Sequence, residues 1–156
     1  MEPFSSLIET LRKRNLHITS AESCTAGLFS ARLADITGAS DVFAYGFVVY
    51  SEEAKERVLS VSHDTIANHG VVSEQTAREM VIGAVKQSGA EVGVSFTGFA
   101  GPGAEEGFSV GRVCFGYWFL GAVYTETVEY GDIGRNNVRE AAAAHAAYRL
   151  MELLEA

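Results

Sequence analysis

Cysteine is scarce in this chain: only Cys24 and Cys114 occur. Two thiols in a chain of this length make no disulfide framework, and they lack the paired spacing of a zinc site. The four histidines, His17, His63, His69 and His145, show no H-x-x-x-H or C-x-x-C partner pattern. A reduced protein that works without a metal or other cofactor is therefore expected. Long hydrophobic runs are missing too. No stretch approaches the ~18 apolar residues of a membrane span, and Met1-Glu2-Pro3-Phe4 begins acidic, without the apolar run of a signal peptide. A cytoplasmic location is the expectation. Positive charge is in short supply, with 12 basic against 20 acidic residues and a formal net charge of −8. A general nucleic-acid or membrane-surface binder needs a basic footprint, so neither partner is expected. A small anionic ligand stays compatible, because helix N-termini and turn amides hold phosphate locally.

What is present suits one soluble domain. The 156 residues are 47% hydrophobic and 21% charged, enough apolar material for a sizeable core without staples. Residues 3–14 carry Phe4, Leu7, Ile8 and Leu11 at helical spacing. A short strand is read at 18–21, a helix over 24–36 ended by Gly38, and a long buried strand over 42–51. A short helix follows at 52–59 and another turn of helix near 64–68. Ser73 reads as the N-cap of an amphipathic helix over 74–88, with Ala77, Met80, Val81, Ala84 and Val85 as its stripe. A strand at 91–97 precedes the glycine-rich loop 98–103. The β-rich runs 110–119 and 122–130 suggest an antiparallel hairpin around Leu120-Gly121. The last helix, 135–154, has Ala143, Ala146, Ala147, Leu150, Leu153 and Leu154 on one face. This alternation predicts an α/β fold, a mixed sheet covered by helices on both sides.

Four groups of residues could carry chemistry. Glu22-Ser23-Cys24-Thr25-Ala26-Gly27 lies between a strand and a helix, where a serine can be a nucleophile and neighbouring amides can hold an oxyanion. The plainer use is an N-cap by Ser23 or Thr25; Cys24 is a rival nucleophile. Tyr50 ends an apolar strand and Lys55 sits in the next helix, so both could point at one rim. A lysine serves as base if its pKa falls from ~10.4 to roughly 7–8. Tyr50 could relay a proton or orient it. Against that stand a surface pair between Lys55 and Glu52 and a tyrosine packed in the core with a wet hydroxyl. The loop Gly98-Phe99-Ala100-Gly101-Pro102-Gly103 lets backbone approach a ligand; it matches neither a P-loop nor a dinucleotide fingerprint, and a tight loop without a ligand is the alternative. Arg135 and Arg139, one turn apart, could grip a phosphate or carboxylate, or line a solvated helix face.

Together these residues resemble the CinA C-terminal domain family. The resemblance rests on Ala21-Glu22-Ser23-Cys24-Thr25, on Gly46 with Tyr50 and Lys55, and on Thr97-Gly98-Phe99-Ala100-Gly101-Pro102-Gly103. It covers nearly the whole chain. It implies a three-layer α/β/α sandwich and nicotinamide-nucleotide amidohydrolase activity in pyridine-nucleotide salvage, with Ser23, Tyr50 and Lys55 acting together on a small nucleotide substrate. The substrate contacts implied are Cys24, Thr25, Gly27 and Gly46, and, at the other motif, Thr97, Gly98, Gly101 and Gly103, together with Arg135. Oxyanion binding is expected from amides at the start of the 24–36 helix. Relatives suggest self-association into a homo-oligomer. A silent binding or interaction module on the same fold, or a serine amidase for another small amide, are the other readings. Some positions depart from the family pattern. Ala26 replaces a glycine, Glu52 stands where an asparagine is usual, Ala104-Glu105-Glu106 replaces a run of glycines, and Ser109-Val110-Gly111 replaces Pro-Val-Gly.

Overall fold

The computed structural model describes residues 2–103 and 109–156; the substituted stretch Ala104-Glu105-Glu106 lies outside the described residues. Helix α1 (Glu2–Arg14) buries Phe4, Leu7, Ile8 and Leu11, the face that their spacing predicts. Strand β1 (Ile18–Glu22) is buried along its whole length. Then come α2 (Leu28–Ala34), a 3-10 turn (Ala39–Asp41) and β2 (Phe43–Val48). Three helices follow in succession, α3 (Glu52–Leu59), α4 (His63–His69) and α5 (Glu74–Ser88). The chain ends with β3 (Val92–Gly98), β4 (Arg112–Phe119), β5 (Ala122–Glu129) and α6 (Arg135–Glu155).

The strands form one mixed sheet in the order β2-β1-β3-β4-β5. β1 runs parallel to both β2 and β3, and the β3–β4 and β4–β5 pairs are antiparallel. The β4–β5 hairpin turns at Leu120 and Gly121, both at positive φ (47° and 93°), as a two-residue turn between right-twisted strands requires. Residues of α1, α2 and α6 pack on one face of the sheet with Ile18, Val94, Phe96 and Phe115. Leu59, Ile66, Met80 and Ala84 from α3, α4 and α5 cover the other face around Ala21 and Val49. The result is the α/β/α sandwich expected from the sequence. Ser73 caps α5 as its sequence position suggests, accepting the Thr76 amide at 3.1 Å, worth about 1 kcal/mol.

Two elements differ from the sequence reading. The helix expected over 24–36 begins only at Leu28, because Ala26 and Gly27 take left-handed φ values of 48° and 95° and the chain turns there instead. The strand expected to be long and buried spans Phe43–Val48 and is largely exposed. It sits at the edge of the sheet, paired on one side only, so its apolar composition reflects β propensity rather than burial.

The topology fixes where a site can form. From β1 the chain crosses through α2 to β2 on one face, and from β2 it crosses through α3, α4 and α5 to β3 on the other. Adjacent β1 and β3 thus flank a switch point, and the crevice beyond their carboxyl ends is where open α/β sheets bind ligands. Residue 23, residue 50 and the loop after residue 98 all leave parallel strands at this rim. Because β5 ends at the same rim, so does the start of α6.

Candidate active site

Ser23 is the first residue beyond β1. Its N–H donates to the Phe96 carbonyl of β3 at 3.0 Å, so one more rung of the parallel ladder holds it at the crevice. The turn after it is closed by Ala26 N–H on the Ser23 carbonyl and Leu28 N–H on the Thr25 carbonyl, each 3.0 Å. Neither Ser23 nor Thr25 caps α2. Glu22 does, from the strand. Its wholly buried carboxylate accepts from the Gly27, Phe29 and Ser30 amides at 3.2, 2.9 and 3.0 Å and from the Ser30 hydroxyl at 2.6 Å. A negative group there also complements the helix dipole. Sequence reasoning missed this role; the available signal was a carboxylate at a strand end, five to eight residues before the helix amides it serves.

Lys55 comes from α3 and is 1% exposed, not the surface partner of Glu52. Its Nζ donates to Ser23 Oγ at 2.8 Å, to the Val49 carbonyl at 3.0 Å and to the Tyr50 carbonyl at 3.1 Å. Ser23 Oγ in turn donates to the Tyr50 carbonyl at 3.3 Å. Among the described residues no carboxylate pairs with the amine, and burial pushes Lys55 down to about 8, opposed by the neighbouring Cys24 and Glu52 side chains. A neutral amine has two N–H groups and one lone pair. With both N–H groups on the Val49 and Tyr50 carbonyls, the lone pair faces Ser23 and takes its proton once the hydroxyl turns from the Tyr50 carbonyl to the amine.

Tyr50 joins this pair through its main chain. Its side chain is 57% exposed, and its phenol oxygen accepts from Arg135 Nη2 at 2.9 Å. Arg135 Nη1 also donates to the Gly101 carbonyl at 2.7 Å, so the first turn of α6 ties the strand-β2 side of the site to the glycine loop. Arg139, one turn on, is not among the residues lining the cleft. Its Nε and Nη2 donate to the Cys24 and Thr25 carbonyls at 3.1 and 2.9 Å.

These groups surround a cleft of about 360 Å³, within the ~300–1,000 Å³ usual for small-molecule sites. Ser23, Cys24, Tyr50 and Lys55 line one side, and Thr97, Gly98, Gly101 and Gly103 the other, with Arg135 at the α6 end. Val71, Val72 and Phe99 add an apolar wall that the sequence reading did not include. Three expected substrate contacts fall outside the lining. Thr25 is wholly buried. Gly27 serves the turn, its amide on Glu22. Gly46 lies on β2, where a Cβ would come within 2.7 Å of Ser30 Oγ and 3.2 Å of Ser20 Oγ; it makes room for the hydroxyls beside Glu22. Cys24 is 7% exposed and burial pushes its thiol up to about 12, so it stays protonated and poorly nucleophilic near neutrality. Among the described residues no group of three or more His, Cys, Asp or Glu side chains could hold a metal ion, and no helix is long and apolar enough to cross a membrane.

Comparison with known proteins gives consistent results. The family model described as CinA C-terminal domain matches residues 3–154. A CinA-like protein of Chlorobaculum tepidum is 43% identical, the match covering 94% of this chain and 37% of that protein. One from Kosmotoga olearia is 40% identical over 90% of this chain and 34% of its own. The chain thus spans about a third of the length of the curated relatives it matches. The crystal structure of the competence/damage inducible protein CihA from Agrobacterium tumefaciens superposes with a TM-score of 0.94 at 37% identity, covering 99% of this chain and 94% of that one. A CinA superfamily protein from Escherichia coli gives 0.93 at 32% identity, over 97% and 88%.

Proposed function

Because this chain belongs to the CinA C-terminal domain family, we propose that it hydrolyses the carboxamide of nicotinamide mononucleotide, yielding nicotinate mononucleotide and ammonia. The observation that carries the reading is the buried amine of Lys55, 2.8 Å from the Ser23 hydroxyl. Ser23 Oγ attacks the carboxamide carbon while neutral Lys55 takes its proton. Lys55 then delivers that proton to the leaving nitrogen as the C–N bond breaks and ammonia departs. Water, deprotonated by the same amine, then attacks the acyl-enzyme; the bond from the acyl carbon to Ser23 Oγ breaks, Lys55 returns its proton to Oγ, and the carboxylate product leaves. Tyr50 acts through its carbonyl, which steadies the amine, and through its phenol at the cleft rim.

The oxyanion of each tetrahedral intermediate needs a donor. From Ser23 to Ser30, every amide except those of Cys24 and Thr25 has a protein acceptor among the described residues. Thr25 is wholly buried, whereas Cys24 lines the cleft. The Cys24 N–H therefore takes the role, one residue past the nucleophile and not within α2. Glu22 already occupies the α2 amides, so the ribose phosphate falls to Arg135 and the 98–103 loop. The pyridine ring rests against Val71, Val72 and Phe99.

The test is ammonia release from nicotinamide mononucleotide by the purified chain, against Ser23→Ala. Release that depends on Ser23 supports the reading. Release no faster than with the variant removes it and favours a silent module on the same fold.

A further inference from the structure

Beyond the residues that touch substrate, the turn carrying the nucleophile is under local strain and needs an outside hold. Ala26 lies at φ 48°, a conformation that costs a residue with a Cβ about 1–2 kcal/mol. Such a conformation persists only where the surroundings over-determine it. Three peptide planes follow Ser23. The first is held within the turn, by Ala26 N–H on the Ser23 carbonyl. The second, between Cys24 and Thr25, has one donor on its carbonyl among the described residues, Nε of Arg139. The third receives Nη2 of the same guanidinium on the Thr25 carbonyl beside the Leu28 amide. A planar fork is the side chain suited to gripping two neighbouring carbonyls at once. Nη1 braces it on Asn136 Oδ1 at 3.2 Å. The arginine reaches the turn from α6, 115 residues along the chain, and its charge is felt at the Cys24 thiol.

We propose that Arg139 is the positioning residue for the oxyanion-binding amide: the Cys24 N–H shares its peptide plane with the Ser23 carbonyl, that carbonyl is held by the Ala26 N–H, and Arg139 fixes the peptide carrying the Ala26 N–H by gripping its Thr25 carbonyl, with the Cys24 carbonyl as second anchor. This rests on the amidase reading for its natural readout. It also reassigns Arg139, which sequence spacing offers as a phosphate ligand. A residue that sets an oxyanion donor acts on the transition state and leaves ground-state binding nearly unchanged. A phosphate ligand would do the reverse.

The experiment compares wild type with Arg139→Met for kcat and KM on nicotinamide mononucleotide, with folding checked by thermal melting. Arg139→Lys, which keeps the charge and loses the fork, is the second variant should the first not fold. The expected result is a kcat lowered at least ~10-fold with KM within ~3-fold of wild type. A kcat within ~3-fold of wild type, or a KM raised ~10-fold at preserved kcat, overturns the proposal. The rate at which a fluorophosphonate phosphonylates Ser23, expelling fluoride, is measured in parallel, because that step also builds negative charge on an oxygen beside Ser23. If wild type releases no ammonia the amidase reading fails by itself. The proposal on Arg139 then stands on a ~10-fold slower phosphonylation in the variant and falls on an unchanged one.

Discussion

The amine of Lys55 lies 2.8 Å from the hydroxyl of Ser23, and among the described residues no carboxylate pairs with it. The two residues arrive from different elements, Ser23 from the end of β1 and Lys55 from α3, and they meet because both strands flanking the first crossover end at the same rim. The carbonyls of Val49 and Tyr50 complete the neighbourhood. They accept hydrogen bonds but carry no full charge, so they orient the amine without restoring its ordinary basicity. With Lys55 at about 8, roughly a quarter of the molecules carry a neutral amine at pH 7.5. That fraction suffices for a base whose conjugate acid must later protonate ammonia's nitrogen.

Replacing Lys55 by arginine keeps a cation but supplies no lone pair. Ammonia release by Lys55→Arg is expected to fall by about 10²–10⁴-fold, the usual worth of a general base. Circular dichroism should report an unchanged fold. Retained turnover would assign the amine a purely electrostatic role.

Lys55 also makes stability depend on pH. Its folded value of about 8 lies below its ordinary 10.5. Between those two pH values the unfolded chain holds a proton that the folded chain has released, so stability rises with pH across that window. The gain amounts to about 3 kcal/mol in all, and it is absent below pH 8, where both states are protonated. Urea titrations at pH 8 and pH 10 measure it: wild type should gain on Lys55→Met over that interval, and parallel behaviour of the two would refute a depressed lysine.

Glu22 holds four donors, three of them amides at the start of α2. In Glu22→Gln one oxygen becomes a donor that faces other donors. Hydrogen bonds to a charged group contribute about 1.5–3 kcal/mol each, so a loss of roughly 2–3 kcal/mol is expected by denaturant titration, together with reduced turnover as the Ser23 turn loosens.

Ala26 offers the opposite case. Its φ of 48° suits glycine. Ala26→Gly should stabilise the chain by about 1 kcal/mol, a rise in Tm of roughly 2–4 °C for a domain of this size. An unchanged or lowered Tm would mean that the turn bears no strain there.

How much of this was legible in the sequence differs from element to element. The stripes of α1 and α5 and the cap at Ser73 rest on local periodicity and local hydrogen bonds, and the structure carries them as read. The Ser23–Lys55 pair was open to reading as far as residue type and strand-end position go. Its decisive property, the burial of Lys55, comes from packing and has no local signal; the neighbouring Glu52 and Glu53 point instead to a solvated helix. β2 misled because an edge strand and a buried strand draw on the same β-branched and aromatic residues. Glu22 and Arg139 were not legible at all in these roles. One reaches forward to helix amides and the other reaches across from α6, and both contacts are made by tertiary geometry. Gly46 was read as a substrate contact, yet the space it leaves is filled by the serines beside Glu22.

The pH dependence of Ser23 phosphonylation by a fluorophosphonate tests the base directly, without reference to the natural substrate. If neutral Lys55 activates Ser23, the rate climbs with a single ionisation centred at about pH 8, and Lys55→Arg abolishes the climb. A rate that stays flat from pH 6 to pH 9, or that rises only near the ~10.4 of an unperturbed lysine, would show that this amine does not prepare the serine for attack.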